Sequence, residues 1–327
     1  MTLEVNTYYF SLSDEQFLPR ALSMADSFRQ HNPASRLVIY CLDDISEIQK
    51  SAFRRIDVDL ISLHTTLGNE FLEDLKAHRS LLEFVWTLPS LLLNNLVTGN
   101  HDYSYFVYLD ADIYFYSSLQ GILDELPKDS ISVVEHRFSK RLGLAFPHSG
   151  RFNVSWVGIP NTKLGLECAK KWSNQCLELC PDVPIVIDGK VIYGDQKYLD
   201  DWPDMFRDKL FIINNKGFGL APWNYENYTI TNDIPIQVDN QNLIFFHFSS
   251  HQYGFFAASK MGELYRTKNF PVMIYKLYED SLSKSTKELK MKNWKSRHRP
   301  FHKRLFEMLK RRVLLTQKIG ILKMDSR

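Results

Sequence analysis

Two aspartates separated by one residue, Asp110 and Asp112, stand in the apolar stretch "FVYLDADIYF". Burying a carboxylate costs several kcal/mol unless the group is paired or bound to a cation. An Asp-x-Asp pair can hold Mg²⁺ or Mn²⁺, which completes its shell with phosphate oxygens and water. His247, in "NLIFFHFSSH", also follows an apolar run, and imidazole suits Mn²⁺. The three side chains are therefore candidate ligands of Mn²⁺ or Mg²⁺.

Each of these residues also has an ordinary structural interpretation. Asp110 could cap the next helix while Asp112 is solvated, but the apolar residues that follow make this a poor explanation for two aspartates. A single histidine on an apolar strand is more often a satisfied core residue. The combination of His247 with the two aspartates is what favours a metal site.

The elements that must position these residues alternate between two periodicities. "VNTYYFSL", "RLVIYCLDD", "DVDLISLH" and "YSYFVYLD" are typical of strands, and intervening segments such as "DEQFLPRALSMADSFRQH" show helical spacing of apolar residues. This alternation predicts an α/β fold with a mostly parallel, doubly wound sheet. Ligands bind such sheets beyond the carboxyl ends of the strands, and Asp110 stands at one of those ends.

The composition predicts a globular protein. The chain has 327 residues, of which 44% are hydrophobic, so it can bury a large core. It shows neither the apolar run of about 18 residues that a membrane span requires nor the N-terminal pattern of a signal peptide. A cytoplasmic location is therefore expected. The four cysteines include no C-x-x-C pair, which favours reduced, buried thiols over a zinc site.

Positive charge is concentrated at the C-terminus. From Lys284 to Arg327 the chain has 15 Lys/Arg and 3 Asp/Glu, whereas the preceding 283 residues have 25 basic and 35 acidic residues. We therefore divide the chain into a catalytic domain, residues 1–283, and a basic C-terminal tail, residues 284–327. Apolar residues recur at helical spacing in the tail, which is typical of an amphipathic helix on an anionic membrane surface. The alternative is a helix packed on the catalytic domain; no nucleic-acid partner is expected.

Five segments, in this order and spacing, resemble the GT-A glycosyltransferases: "YLDADIYF", "RFNVSWVGIPNT", "YGDQKYLDDWPDMF", "GLAPWNY" and "FFHFSSH". The likeness is strongest to the family-8 type, which includes bacterial lipopolysaccharide and capsule enzymes and glycogenin-like enzymes, and it covers about residues 5 to 256. It implies a GT-A fold, a nucleotide-diphosphate sugar donor (above all a UDP-sugar) and Mn²⁺ held by Asp110, Asp112 and His247. It also implies a glycan or lipid-linked glycan acceptor.

The resemblance assigns further residues to the donor and to the reacting centre. Asp195 and Gln196 match the residues beside the anomeric carbon of the donor sugar. The positions that match donor-binding residues are Thr7, Tyr8, Phe10, Ser11, Arg79, Asp110, Ala111, Asp112, Asn153, Trp223 and Asn224. By residue type, Tyr8 and Phe10 could stack on a base or lie in the strand core. Arg79 could bind phosphate or be an exposed helix charge.

The segment after His247 departs from the family pattern. It lacks the Gly and the diphosphate-contacting Lys that usually follow the histidine, and His251, Gln252 and Lys260 are the alternatives. This departure leaves the donor sugar and the stereochemical outcome open. If the enzyme inverts configuration, Asp195 is the candidate base; if it retains configuration, Asp195 or Gln196 stabilises the transition state.

Three functions follow as hypotheses. The leading one is a metal-dependent glycosyltransferase at the inner face of a membrane. The second is a phosphatase or phosphotransferase of the haloacid-dehalogenase type, which also carries Asp-x-Asp after a buried strand. The third is a non-catalytic sugar-binding protein on the same fold.

Overall fold

The structure is a computed structural model that describes residues 6–99, 102–145, 148–251, 271–291 and 294. The chain divides into two compact units, residues 1–295 and 296–327, and all of the described residues belong to the first unit. The larger part of the predicted basic tail, including the whole second unit, lies outside the described residues.

The described strands are β1 (Thr7–Ser13), β2 (Arg36–Cys41), β3 (Asp59–Ser62), β4 (Tyr105–Leu109), β5 (Ile113–Phe115), β6 (Ile131–Glu135), β7 (Phe152–Pro160), β8 (Ile185–Ile187), β9 (Lys190–Ile192), β10 (Leu210–Ile212), β11 (Gln237–Val238), β12 (Gln241–Asn242) and β13 (Phe245–His247). The described helices are α1 (Leu18–His31), α2 (Glu47–Arg54), α3 (Leu63–Leu67), α4 (Asn69–Ala77), α5 (Leu81–Gly99), α6 (Gln120–Glu125), α7 (Lys140–Ala145), α8 (Lys163–Glu178), α9 (Trp202–Phe206) and α10 (Val272–Glu288).

Seven strands form the central sheet in the order β10-β6-β7-β4-β1-β2-β3. Strands β1 to β4 pair in parallel, as do β6 and β10, whereas β7 is antiparallel to both of its neighbours, β4 and β6. The predicted α/β fold with a mostly parallel sheet is confirmed. Because β1 and β4 are parallel, with Ser11 opposite Leu109, their carboxyl ends lie at the same edge of the sheet.

Alternate residues of the sheet strands pack on opposite faces. Phe10 of β1 belongs to the core that contains Leu92 of α5 and Trp172 of α8. Its neighbour Tyr9 packs on the other face, against Phe28 of α1. The apolar runs of the central strands thus reflect burial on both faces, as expected for a parallel sheet.

Helix α5 is the one described helix whose length and apolar composition would suffice to cross a membrane. Of its apolar stretch, 56% is buried inside the fold, where it packs against α8 and the sheet, so α5 has the burial of a core helix.

The first part of the predicted tail packs on the body of the protein. Helix α10 runs through the predicted boundary at residues 283 and 284, and Lys284 Nζ lies 2.8 Å from Asp26 Oδ2 on α1. Leu289 and Trp294 are buried, and Trp294 Nε1 donates a hydrogen bond to Gln16 O at 2.7 Å. For these residues, packing on the body is the alternative that the structure supports.

Candidate metal and donor site

Two short strands bring the three predicted metal ligands together. Asp110 and Asp112 occupy the turn between β4 and β5, and β13 pairs antiparallel with β5 so that His247 lies opposite Ile113. The Phe248 N–H donates to Asp112 O at 2.8 Å, which extends this pairing beyond His247. A residue distant in the sequence is therefore held beside the strand end that carries both aspartates.

His247 faces both carboxylates. Its Nε2 lies 3.1 Å from Asp112 Oδ1 and 3.6 Å from Asp110 Oδ2, and one ligand atom from each residue lies within 4.8 Å of the others. The other oxygen of Asp110, Oδ1, accepts a 2.8 Å hydrogen bond from the Tyr108 hydroxyl. Tyr108, which the sequence analysis did not single out, therefore orients Asp110.

The charges of this cluster are strongly coupled. Burial raises the pKa of Asp110, and the charge of Asp112 adds to that rise while His247 opposes it. Burial would also raise the pKa of Asp112, but the contact with His247 outweighs it and the pKa is lowered. For His247, burial acts to lower the pKa, and the two aspartates together raise it. In the absence of a metal, Asp110 and Asp112 therefore favour the protonated form of the His247 imidazole.

These residues fit a divalent cation. Two atoms that each lie about 2.1 Å from the same Mg²⁺ ion, at adjacent positions of its octahedral shell, are about 3 Å apart. The distances from His247 Nε2 to Asp112 Oδ1, 3.1 Å, and to Asp110 Oδ2, 3.6 Å, are close to this value. Two carboxylates and one imidazole form a donor set suited to Mn²⁺ or Mg²⁺. Asp110, Asp112 and His247 would hold the ion in place of the imidazole proton.

Asp195 lies deep in the fold near this cluster. It follows Gly194, whose positive φ of 59° and close approach to the Trp86 ring favour glycine at the end of the β8–β9 hairpin. Trp172 Nε1 donates to Asp195 O at 3.0 Å, and the residue is 4% exposed. Burial raises the pKa of Asp195 to about 8, with a further rise from the charge of Asp110. Asp195 is thus a carboxyl group that titrates close to neutral pH.

Gln196 begins a short 3-10 helix directly after Asp195. Its Nε2 donates to Ser149 O at 2.9 Å, which fixes the orientation of the side-chain amide. One N–H of the Gln196 side-chain amide is therefore used by the backbone of Ser149. The catalytic roles of Asp195 and Gln196 stay predictions.

Along β1, the predicted nucleotide-binding residues divide between the two ends of the strand. Ser11, paired with Leu109, lies towards the edge that carries Asp110, and its buried hydroxyl has no partner among the described residues. Thr7, paired with Tyr105, starts the strand at the opposite end. Donor contact through Thr7 stays a prediction that the strand geometry does not favour. At the near end, Asp14 caps the short 3-10 helix that follows the strand, where Phe17 N donates to Asp14 Oδ1 at 2.8 Å.

The two aromatic residues of this group pack in the core. Phe10 is fully buried against Tyr40 and Tyr108, with ring centroids 6.4 and 5.6 Å apart. The Tyr8 hydroxyl lies 3.0 Å from the Tyr40 hydroxyl. These contacts agree with the core interpretation of Tyr8 and Phe10 rather than with stacking on a base.

Arg79 caps the C-terminal end of helix α8. Its Nη1 donates to Thr87 Oγ1 at 2.6 Å and to Cys176 O at 2.9 Å, and its Nη2 donates to Leu177 O. Arginine is well placed at a helix C-terminus, where carbonyls lack partners and the helix dipole is negative. Phosphate binding and an exposed helix charge are the two roles predicted for Arg79 from its residue type. The structure shows a third role, the capping of α8.

Asn153 is buried and hydrogen-bonded on both sides of its amide. Its Oδ1 accepts from Ser155 N at 2.9 Å, and its Nδ2 lies 3.3 Å from His136 Nε2. Because His136 Nδ1 lies 3.1 Å from Gly150 O, Nδ1 carries the proton and Nε2 accepts from Asn153. Burial lowers the pKa of His136 to about 3, so the ring stays neutral.

Three further predicted donor residues surround the cluster. Ala111 is buried between the two aspartates. The Trp223 ring lies 5.2 Å from the His247 ring, and its buried Nε1 has no partner among the described residues. Asn224 is fully buried, and its amide bonds to three backbone groups, Ala221 N, His136 O and Gly219 O. Asn224 thus shapes the loop that carries Trp223.

Comparison with known proteins shows both relatives and a fold. No family model matches the chain. It is 30% identical over 247 residues to the uncharacterized protein YfnD of Bacillus subtilis. The aligned residues cover 75% of this chain and 78% of YfnD. It is 25% identical over 285 residues to YfnF of the same organism, covering 84% of this chain and 91% of YfnF.

Among solved structures, the galactosyltransferase LgtC, in complex with donor and acceptor sugar analogs, superposes with a TM-score of 0.51 at 16% identity. The match covers 84% of this chain and 95% of LgtC. At this identity the match establishes the fold. The chain therefore has the fold of the GT-A glycosyltransferases and belongs to the same protein family as YfnD.

Proposed function

We propose that the protein is a metal-dependent glycosyltransferase that transfers a sugar from a nucleotide-diphosphate sugar, above all a UDP-sugar, to a glycan or lipid-linked glycan. The observation that carries the proposal is the Asp110–Asp112–His247 cluster at the carboxyl edge of a GT-A sheet. The GT-A fold favours this proposal over a phosphatase of the haloacid-dehalogenase type.

The positions of Asp110, Asp112 and His247 support metal binding. Mn²⁺ or Mg²⁺ bound there would neutralise the diphosphate and make the nucleoside diphosphate a better leaving group. Tyr108 holds one oxygen of Asp110, which leaves the other on the side of His247. The His247 proton must leave before a cation can bind, so metal affinity should rise with pH.

Asp195 supports the chemical step. Burial raises the pKa of Asp195 to about 8, and once the carboxyl group is ionised its raised basicity suits it to take the proton of an acceptor hydroxyl. In its ionised form it can instead stabilise positive charge at the anomeric carbon. Both roles require a buried carboxylate close to the donor, and a buried aspartate beside the metal cluster supplies one.

The chain offers its own control for a test of the metal site. Asp57 and Asp59 form a second Asp-x-Asp pair, but they are exposed and form ion pairs with Arg29 and Arg36. Release of nucleoside diphosphate from a panel of nucleotide sugars is measured with Mn²⁺ and with excess chelator. We expect Asp112→Asn to lose nearly all turnover and Asp59→Asn to keep it.

Other outcomes of that assay separate the remaining hypotheses. Full turnover in excess chelator would contradict the metal role. Hydrolysis of a generic phosphomonoester without donor turnover would favour the phosphatase, and donor binding without turnover would favour the non-catalytic protein.

We further propose that the enzyme attaches to the inner face of a membrane through its basic tail. The support is the charge of residues 284–327, with 15 basic against 3 acidic residues. Each basic residue near an anionic surface contributes about 1 kcal/mol, so even part of this excess suffices for reversible attachment.

A further inference from the structure

Arg20 is a buried cation beside the candidate metal site. It lies in the first turn of α1 and is 4% exposed. Helix α1 follows closely after β1, whose carboxyl end lies beside that of β4 and therefore beside Asp110. No motif drew attention to Arg20, because an arginine on an amphipathic helix ordinarily faces solvent.

The groups to which Arg20 is hydrogen-bonded among the described residues are uncharged. Its Nη2 donates to His251 O at 2.5 Å, and its Nη1 donates to the Tyr278 hydroxyl at 3.3 Å. Its guanidinium carbon lies 5.3 Å from the ring centroid of Phe17 and 5.8 Å from that of Trp294. Within the described part of the chain, no carboxylate forms an ion pair with it. A guanidinium has five N–H donors, so these two hydrogen bonds do not exhaust it.

A buried arginine without a paired anion is unusual, because burying an unpaired charge is costly. Its place in the helix adds to that cost, since the N-terminal end of a helix dipole is positive and favours anions. Arg79 differs on this point, because it binds carbonyls at the negative end of α8. The charge of Arg20 helps to lower the pKa of Asp112 without touching the carboxylate. Glu279, the other carboxylate near these contacts, is held by His251, whose Nε2 lies 2.6 Å from Glu279 Oε1.

Occupation of the metal site would change the charge balance around Arg20. A divalent ion carries two positive charges, which match the two carboxylates of Asp110 and Asp112. Arg20 would then be a surplus buried cation next to the ion. An anion that reaches both the ion and the guanidinium would balance the charge, and a diphosphate has the charge and length to do so.

We propose that Arg20 is the protein's second cation for the donor diphosphate, and that it binds a phosphate oxygen when the metal site is filled. The inference rests on the proposed function, and it names a residue that the family resemblance did not. It also accounts for the absence of the expected lysine after His247, because a guanidinium on α1 would supply the positive charge from the other side of the site.

The test compares two affinities in the full-length chain, that for Mn²⁺ alone and that for UDP in the presence of Mn²⁺, both by titration calorimetry. We expect Arg20→Gln to weaken UDP binding by about 10- to 100-fold, the worth of a charge-assisted hydrogen bond. Mn²⁺ alone should bind at least as tightly as to the wild type, because a repelling cation is gone. The control is Arg29→Gln, on the same helix but bonded to Ser35 O and Asp57, which should change neither affinity.

A structural role for Arg20 would give a different result. If Arg20→Gln weakens Mn²⁺ and UDP binding alike, or leaves UDP binding unchanged, the inference is wrong. If Arg20→Gln does not fold, Arg20→Met decides, since it keeps an unbranched side chain that can pack in the same place and removes the charge. A loss confined to UDP supports the inference, and unchanged UDP affinity overturns it. A wild-type protein that binds Mn²⁺ but no nucleoside diphosphate overturns the proposed function, and the inference with it.

Discussion

Asp195 should lower the stability of the metal-free protein at alkaline pH, and Asp195→Asn should remove that effect. The carboxyl group titrates at about 8 in the folded chain, against an ordinary value of 3.8. Between these two values the folded state holds a proton that the unfolded state has lost, so stability falls as pH rises through this window. The neutral asparagine has no such dependence and can still accept the backbone N–H bonds of the aspartate.

The magnitude follows from the two pKa values. At about 1.4 kcal/mol per pKa unit, the difference between 3.8 and about 8 is worth roughly 5 to 6 kcal/mol above pH 8 and nothing below pH 4. For a chain of this size, that corresponds to a rise in Tm of roughly 10 °C for the variant.

The assay is calorimetric unfolding in chelator at pH 5, 7 and 9 for the wild type and Asp195→Asn. The advantage of the variant should be smallest at pH 5 and largest at pH 9, while its transferase turnover with Mn²⁺ is lost. Asp188→Asn, an exposed turn position in the β8–β9 hairpin, should match the wild type at every pH. A constant stability difference across the three pH values would refute the argument.

Three further predictions follow from other parts of the structure. Mn²⁺ should raise the Tm of the wild type, by an amount that decreases as pH falls, and should leave the Tm of His247→Gln unchanged. An equal rise in Tm in the variant would contradict the metal assignment. Gly165→Ala should destabilise the fold by about 1 to 3 kcal/mol in denaturant unfolding, because its Cβ would stand 1.9 Å from Pro160 O; unchanged stability would show that α8 shifts freely. A chain ending at Lys295 should fold with full stability but lose its sedimentation with anionic vesicles at low salt, and equal vesicle binding by this chain and the full chain would contradict the tail hypothesis. A chain ending at Ser283 should be less stable, because it lacks the contacts of Trp294.

The metal cluster could be predicted from the sequence because its signal is local. Two carboxylates directly after a buried strand conflict with their apolar surroundings, and a cation resolves that conflict. Parallel strand topology then explains why they lie at a ligand-binding edge. The antiparallel insertion of β7 could not be predicted, since strand direction depends on contacts between residues far apart in the chain.

The donor residues show where pattern reasoning fails. Four residues of β1, Thr7, Tyr8, Phe10 and Ser11, are predicted to bind the nucleotide, yet Ser11, opposite Leu109, lies towards the edge that carries Asp110, whereas Thr7 lies at the other end of the strand. Arg79 lies in the bend between α4 and α5, and Arg20 lies in the first turn of α1. Arg79 caps α8, whereas Arg20 is buried against His251 and Tyr278, a difference set by tertiary packing that no local pattern records.

The pairing of β5 with β13 has a consequence for how a metal would act on the fold. This two-stranded sheet is separate from the central one, and its residues are buried except for the partly buried Tyr114. An ion shared by Asp112 and His247 would act as a reversible cross-link between distant parts of the chain. Because the ion would bind the paired arrangement and not the separated strands, its concentration would set how tightly these two segments are held together.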